Sequence, residues 1–226
     1  MRAVLVEDFG SIENHKLCNV EDPSPANGEV LIDIHAIGIN FPDTLMMQGL
    51  YQTKPERPFT PGRDVAGIIS AVGKNVEGLK VGDRVMAIVP WGAYAEQCVA
   101  SPARCFHLPD DVNFVTAAGM ATVYLTSWVA LMERGGYQPG EKVLMLGASG
   151  GVGLAAVQIA KAHGAFVLGG SSSEERGKIV KENGADAIVN LSVDDINENL
   201  RQQVFKVAGK QGVDIVLDPL GGDIFT

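Results

Sequence analysis

Several things are scarce in this sequence, and each scarcity removes a class of protein. There are three cysteines, Cys18, Cys98 and Cys105, too few and too scattered for a disulfide framework. Positive charge is thin: 18 Lys and Arg stand against 27 Asp and Glu, a net charge of -9. That balance lacks the electrostatic footprint of a general nucleic-acid binder or of a protein drawn to anionic membranes. Polar residues interrupt every apolar stretch before about 18 residues, so no membrane-spanning helix is expected. The N-terminus, Met1 to Asp8, turns acidic too soon for a signal or transit peptide, and a cytoplasmic location is the default expectation. No Ser-His-Asp or Cys-His constellation stands out as a nucleophilic site.

What is present reads as a globular chain. Of 226 residues, 46% are apolar and 20% charged, enough to bury roughly 70% of the unfolded surface in one or two cores. Glycine is in excess, 27 residues against an average near 7%. These glycines sit in discrete turns, which points to tight bends or to backbone brought close to a ligand.

The chain changes texture near residue 114. Before it, Val30, Ile32, Ile34 and Ala36 alternate with Leu31, Asp33 and His35, the period of a half-buried strand. Val65 to Val72 and Arg84 to Val89 are further β-rich runs. Turn signals at Pro61-Gly62, Gly73-Lys74-Asn75, Val81-Gly82-Asp83-Arg84 and Trp91-Gly92 separate them, predicting a compact, mostly β domain over 1–114. From 115 to 226 strand and helix alternate. Strands are predicted at Lys142 to Leu146, Ala165 to Leu168, Ala187 to Val189 and Val213 to Leu217. Helices are predicted from about Gly151 to Ala162 and Glu174 to Glu182, with a third after Ser192 and Asp195, whose spacing resembles an N-cap box. Repeated βα units imply a parallel, doubly wound α/β sheet. A complete dinucleotide fold of this type has six strands, and only four are legible, so the sheet reads as incomplete and the chain as truncated.

Chemistry concentrates in Gly147-Ala148-Ser149-Gly150-Gly151-Val152-Gly153, which joins the first of these strands to its helix. Small residues there let backbone approach a pyrophosphate, whose charge faces the free N–H groups of a helix start. Such a cluster is weak alone and strong after a strand, before a helix, and within βαβ units. A phosphate P-loop is disfavoured because no Gly-Lys-Ser/Thr follows. The short-chain dehydrogenase plan is disfavoured by the lack of a Tyr-x-x-x-Lys pair. The next strand ends Leu168-Gly169-Gly170-Ser171-Ser172-Ser173, with no acid before Glu174 to hold a ribose 2′-hydroxyl. The guanidinium of Arg176 suits a 2′-phosphate, with Ser172 and Ser173 as further hydrogen-bonding groups. The plainer alternative for Arg176 is a solvated cation on a helix face.

Together with Gly38-Ile39-Asn40-Phe41-Pro42-Asp43, Gly49-Leu50-Tyr51, Pro61-Gly62-Arg63-Asp64-Val65-Ala66-Gly67 and Thr122-Val123-Tyr124-Leu125-Thr126, the glycine loop resembles the medium-chain dehydrogenase/reductase superfamily, in its zinc-independent quinone oxidoreductase branch. The resemblance runs through essentially the whole chain. It implies a GroES-like catalytic domain over 1–114 and a Rossmann NADP-binding domain over 115–226 that lacks its last strands. Zinc-dependent relatives place a Cys in the Gly-x-Asn region and a His just before the acid of Pro-Gly-x-Asp/Glu. This chain has no Cys there and has Arg63 in place of that His, and it lacks the four-cysteine lobe of structural zinc, so no metal is expected. The basic residue that relatives use on the 2′-phosphate aligns with Arg176, and NADPH is the expected cofactor. Relatives often carry a Tyr where this chain has Leu191.

The resemblance also assigns the reacting end. Asn40 matches an active-site Asn near nicotinamide and substrate, and Thr126 a Thr contacting the nicotinamide region. Tyr51 matches a Tyr in the substrate cleft whose hydroxyl could donate to a quinone or enone oxygen. Each has a plainer alternative: a turn for Asn40, interior packing for Thr126, a partly buried ring for Tyr51. Asp43 and Asp64 read as local structure. The expected cofactor contacts are Asn40, Thr126, Gly150, Gly151, Val152, Gly153, Ser172, Ser173 and Arg176. The expected reaction is hydride transfer from NADPH to a quinone or related electron-poor carbonyl compound. The alternatives are reduction of an enoyl or alkenal C=C bond, or an inactive NADPH-binding regulatory or partner protein. The expected partner is a small molecule, with neither nucleic acid nor membrane. Relatives are often dimers, so a homodimer is one possible arrangement, but the resemblance puts key dimer contacts in the region this chain lacks and leaves the oligomeric state open.

Overall fold

The structure, a computed structural model, describes residues 1–224. It divides into two compact units, Met1–Thr122 and Val123–Thr226.

In the first unit, β1 (Arg2–Leu5) and β2 (Lys16–Asn19) form an antiparallel ribbon. β3 (Val30–Gly38) is followed by the short helix α1 (Phe41–Met47). β4 (Asp64–Val72), β5 (Arg84–Ile88), β6 (Gln97–Ala100) and β7 (Cys105–His107) complete an antiparallel sheet in the order β6-β3-β4-β5-β7. Its core is Val30, Ile32, Val65, Ile69, Val85, Ala87 and Val89. The strict alternation predicted along β3 fails in two places. Register shifts against β4 lie between Leu31 and Ile32 and between Ile34 and Ala36, and Leu31 is buried beside its neighbours. Each bulge resets the side-chain period and bends the strand. Gly67 on β4 answers this bend: a Cβ there would lie 2.0 Å from the Asp33 carbonyl oxygen.

Helix α2 (Phe114–Trp128) starts in the first unit, where Ala117 and Ala118 pack against Ala66. Small residues allow a close approach, and a Cβ on Gly38 would lie 2.2 Å from the Ala118 carbonyl oxygen. The helix continues as a π-helical segment, Val129–Arg134. Among the described residues, Phe114–Arg134 is the one helix long and apolar enough, by length and composition, to cross a membrane. None was expected, because polar residues interrupt the apolar stretches. A helix can accommodate a hydroxyl on its own backbone: the Ser127 Oγ donates to the Val123 carbonyl at 2.8 Å.

The second unit is a four-stranded parallel sheet in the order β10-β9-β8-β11. Its elements are β8 (Lys142–Met145), α3 (Gly151–Ala162), β9 (Phe166–Ser171), α4 (Glu174–Glu182), β10 (Ala187–Asn190), α5 (Ile196–Ala208) and β11 (Ile215–Leu217). The fold is therefore the predicted α/β combination of a β-rich GroES-like domain and a Rossmann-like parallel sheet. β8 explains the two layers. Val143 and Met145 face a core with Val157, Ala160 and Val180, while Leu144 and Leu146 face another with Leu200, Val204 and Ala208. A strand buried on both faces reads as an unbroken apolar run.

Two local expectations need correction. β9 runs on through Gly169 and Gly170 to Ser171, past the predicted end at Leu168. A Cβ on Gly169 would lie 2.4 Å from a Val180 methyl, so glycine there lets α4 settle on the sheet. The other concerns the start of α5. Its N-cap is Asp195 itself, at φ 45° and with no side-chain cap bond, while the Ser192 N–H donates to the Asn190 side chain at 2.8 Å.

Candidate functional site

In the first unit, the end of β3 hands the chain to α1 through Asn40, and the start of β4 places Asp64 beside it. Asp64, 2% exposed, accepts from Asn40 Nδ2 at 3.0 Å, from the Thr122 N–H at 3.0 Å and from the Thr122 hydroxyl at 2.6 Å. Three donors satisfy a buried carboxylate, since hydrogen bonds to a charged group are the strong ones. The consequence for Asn40 is orientation. With Nδ2 committed to Asp64, its amide presents the oxygen as an acceptor. Its backbone N–H donates to Asp43 Oδ2 at 2.9 Å, and the Tyr94 hydroxyl donates to the same oxygen at 2.9 Å. Asp43 is fully buried and its Oδ1 has no partner. Burial pushes its carboxyl above the ordinary range against these bonds, and burial together with the Asp43 charge pushes the Tyr94 phenol up as well. Asp43 and Asp64 thus hold the local structure, as expected, and Asn40 is the group they aim.

Tyr51 lies just beyond α1. Its ring packs on the cluster of Val6, Met46, Met47 and Phe59, and its hydroxyl oxygen accepts from Arg63 Nη1 at 3.2 Å. Arg63 Nε is buried without a partner. Sequence reasoning considered Arg63 only as the occupant of a metal-ligand place. Its contact with Tyr51 spans twelve residues and left no local signal. Among the described residues, no group of three or more His, Cys, Asp or Glu side chains is placed to hold a metal ion.

The second unit carries a cleft of about 670 Å³ where β8 meets α3. Gly147, Ser149, Gly150, Gly170, Ser171, Ser172, Arg176, Ile179, Leu191, Leu220 and Ile224 line it. The loop is braced from within: the Ala148 N–H donates to the Gly170 carbonyl at 3.0 Å, and the Gly150 N–H to that of Gly147 at 3.1 Å. Helix α3 begins after Gly150 without a side-chain cap. The N–H groups of its first turn, Gly151, Val152 and Gly153, have no carbonyl one turn earlier to bond, which leaves a positive helix end. Gly153 is required by packing, since its Cβ would lie 2.4 Å from the Gly147 oxygen and 2.6 Å from Ala148 Cα. Arg176 is exposed and forms no ion pair among the described residues, and the lining contains no carboxylate.

Of the predicted cofactor contacts, Gly150, Ser172 and Arg176 line this cleft. Gly151, Val152 and Gly153 form the adjoining helical turn. Ser173 instead caps α4, its hydroxyl accepting from the Arg176 N–H at 3.3 Å. Thr126 is exposed on α2 and is not part of the lining, and Asn40 and Tyr51 belong to the first unit. The sequence reading missed Ser171, Ile179, Leu220 and Ile224 as lining residues. Leu191 does line the cleft, at the place where an aromatic residue is common in the resembled family.

A backbone-built cleft with one unpaired guanidinium and no acid fits a dinucleotide bearing an extra phosphate. Known proteins resemble both parts of the chain. The model of the alcohol dehydrogenase GroES-like domain matches residues 26–130, and that of the zinc-binding dehydrogenase family matches 151–226. Homo sapiens quinone oxidoreductase is 41% identical over 222 residues, covering 97% of this chain and 66% of the relative. The chain therefore spans about two thirds of the length of that relative. A probable oxidoreductase of Mycobacterium abscessus superposes with a TM-score of 0.90 at 36% identity, over 99% of this chain and 71% of the other. Escherichia coli quinone oxidoreductase in complex with NADPH superposes with a TM-score of 0.91 at 31% identity, over 99% and 67%.

Proposed function

We propose that this chain, which belongs to the quinone oxidoreductase-like branch of the medium-chain dehydrogenase/reductase superfamily, acts as an NADPH-dependent, zinc-independent reductase of quinones or related electron-poor carbonyl compounds. The observation that carries the proposal is the cleft at the start of α3, with the unpaired Arg176 on one side and no carboxylate in its lining. The first-turn N–H groups of Gly151, Val152 and Gly153 would receive the pyrophosphate. Arg176 and Ser172 would hold the 2′-phosphate, where an acid would repel it.

When bound, NADPH supplies a hydride, which with one proton turns a quinone into a hydroquinone. The residues of the first unit prepare the acceptor. Asn40 offers a polar side chain of fixed orientation, because Asp64 holds its nitrogen. Tyr51 offers a hydroxyl to the carbonyl oxygen, where negative charge develops as the hydride arrives. No residue in this arrangement supplies covalent chemistry.

Calorimetric titration with NADPH and separately with NADH, followed by steady-state turnover of 1,4-naphthoquinone and of an enone, tests the proposal. Tight NADPH binding, much weaker NADH binding and quinone turnover are expected. Binding of neither cofactor to folded protein would overturn it.

A further inference from the structure

The chain has four tyrosines, and they dispose of their hydroxyl protons differently. Tyr94 donates to Asp43 at 2.9 Å, Tyr124 donates to the Gln158 side-chain oxygen, and Tyr137 donates to the His163 carbonyl at 3.0 Å. Tyr51 only accepts, from Arg63 at 3.2 Å. A guanidinium has no lone pair to offer, so the phenol oxygen must be the acceptor of that bond and its own proton must go elsewhere. Among the described residues, no acceptor lies within hydrogen-bond reach of that proton. Arg63 is equally unspent: it forms no ion pair within 4.0 Å among the described residues, and its Nε is buried without a partner. Of the nearby carboxylates, Asp64 is already committed to Asn40 and Thr122, and Asp43, which feels the Arg63 charge without forming an ion pair, accepts from Asn40 and Tyr94. A buried guanidinium nitrogen without a partner is costly unless an electron-rich atom comes to meet it.

We propose that Arg63 is a positioning residue for Tyr51: it holds the phenol by its oxygen, leaves the proton free for a substrate carbonyl, and so favours acceptors whose oxygen becomes anionic. The ring of Tyr51 is fixed by Val6, Met46, Met47 and Phe59, and Arg63 supplies the remaining restraint, on the hydroxyl itself. The positive charge that restrains the phenol also sits close to the oxygen that gains charge. This deepens the proposed reduction and rests on it for the identity of the acceptor.

The test is a double-mutant cycle on the full 226-residue chain with Arg63→Met and Tyr51→Phe, with Arg63→Lys as a conservative variant. With 1,4-naphthoquinone, R63M should lower kcat/KM by about 10- to 100-fold, mainly through kcat, as misplacement of a reacting group does. R63K should recover part of the loss. Y51F should match R63M, and the double variant should be no worse than either alone. NADPH affinity and Tm should stay unchanged in the single variants. Losses that multiply in the double variant would overturn the assignment, because Arg63 would then act independently of Tyr51. A fall in Tm that accounts for the loss in both R63M and R63K would overturn it too. Should the wild-type chain bind NADPH and reduce no quinone, the functional proposal fails, and naphthoquinone binding by tryptophan quenching decides about Arg63 alone. A dissociation constant weakened about threefold to tenfold in R63M supports the pairing, as expected for one lost hydrogen bond, and an unchanged one overturns it.

Discussion

The two units solve the problem of presenting polar groups to a ligand in opposite ways. The first builds a cluster from side chains that hold one another: Asp64 takes three donors, Asp43 takes two, and Asn40 is aimed as a result. The second builds one side of its cleft from a glycine-rich loop and a helix end without a cap, beside an unpaired arginine. A network of satisfied side chains fixes direction, which suits a reacting centre. Uncapped backbone and a loose guanidinium supply charge with little shape, which suits phosphate. Damage should therefore appear as lost orientation in the first unit and as lost affinity in the second.

The largest effect is expected at Gly153. Gly153→Val puts side-chain atoms where even a Cβ would lie 2.4 Å from the Gly147 oxygen, so NADPH binding should vanish from calorimetry and stability should drop by about 1–3 kcal/mol or more. Gly150→Ala is the control, since its Cβ would stand 3.5 Å from that oxygen and φ is -79°. It should weaken binding while leaving Tm in place. Next comes Arg176→Ala, which should weaken NADPH by about 10- to 100-fold, leave NADH untouched and leave Tm unchanged. Equal losses for both cofactors would refute the 2′-phosphate assignment. Asp64→Asn removes the charge that gathers three donors. It should cost about 2–3 kcal/mol in denaturant unfolding and lower turnover more than NADPH affinity, marking the first unit as the orienting one.

The smallest effect concerns pH. Burial raises the Asp43 carboxyl in the folded state, so its charged form is disfavoured there relative to the unfolded chain. Its contribution should favour folding increasingly as pH falls through the folded pKa, level off below the ordinary carboxylate range, and be lost as pH rises. The difference in unfolding free energy between wild type and Asp43→Asn, followed across that window, reads it directly. A difference independent of pH would mean that Asp43 feels no net burial cost.

The same contrast governs what could be read in advance. The second unit was legible because its signals are local: β8, the glycine loop and α3 adjoin in sequence, and periodicity marks both faces of the strand. The reading failed there where glycine serves packing instead of turning, at Gly169 and Gly170, and at the start of α5, where Asp195 takes the N-cap place without a side-chain bond. The first unit was legible in outline, through Val65 to Val72 and the turns, and opaque in its chemistry. Tyr94 reaches Asp43 across 51 residues and Thr122 reaches Asp64 across 58, and nothing in either neighbourhood announces the partner. The bulges in β3 were hidden for a similar reason, since they are set by the register of β4 and not by the composition of β3.

β8 has one more consequence, for how this chain can change over generations. Its residues alternate between two helical layers, and its end sets the start of the glycine loop. Losing or gaining a single residue there would exchange the layers and displace the loop at one stroke. Substitutions of similar volume are open to it, whereas changes in length are closed. The length of β8 should therefore be inherited more faithfully than its letters, with insertions gathering in stretches such as 192–195, beyond Leu191, the last residue there that packs on the sheet.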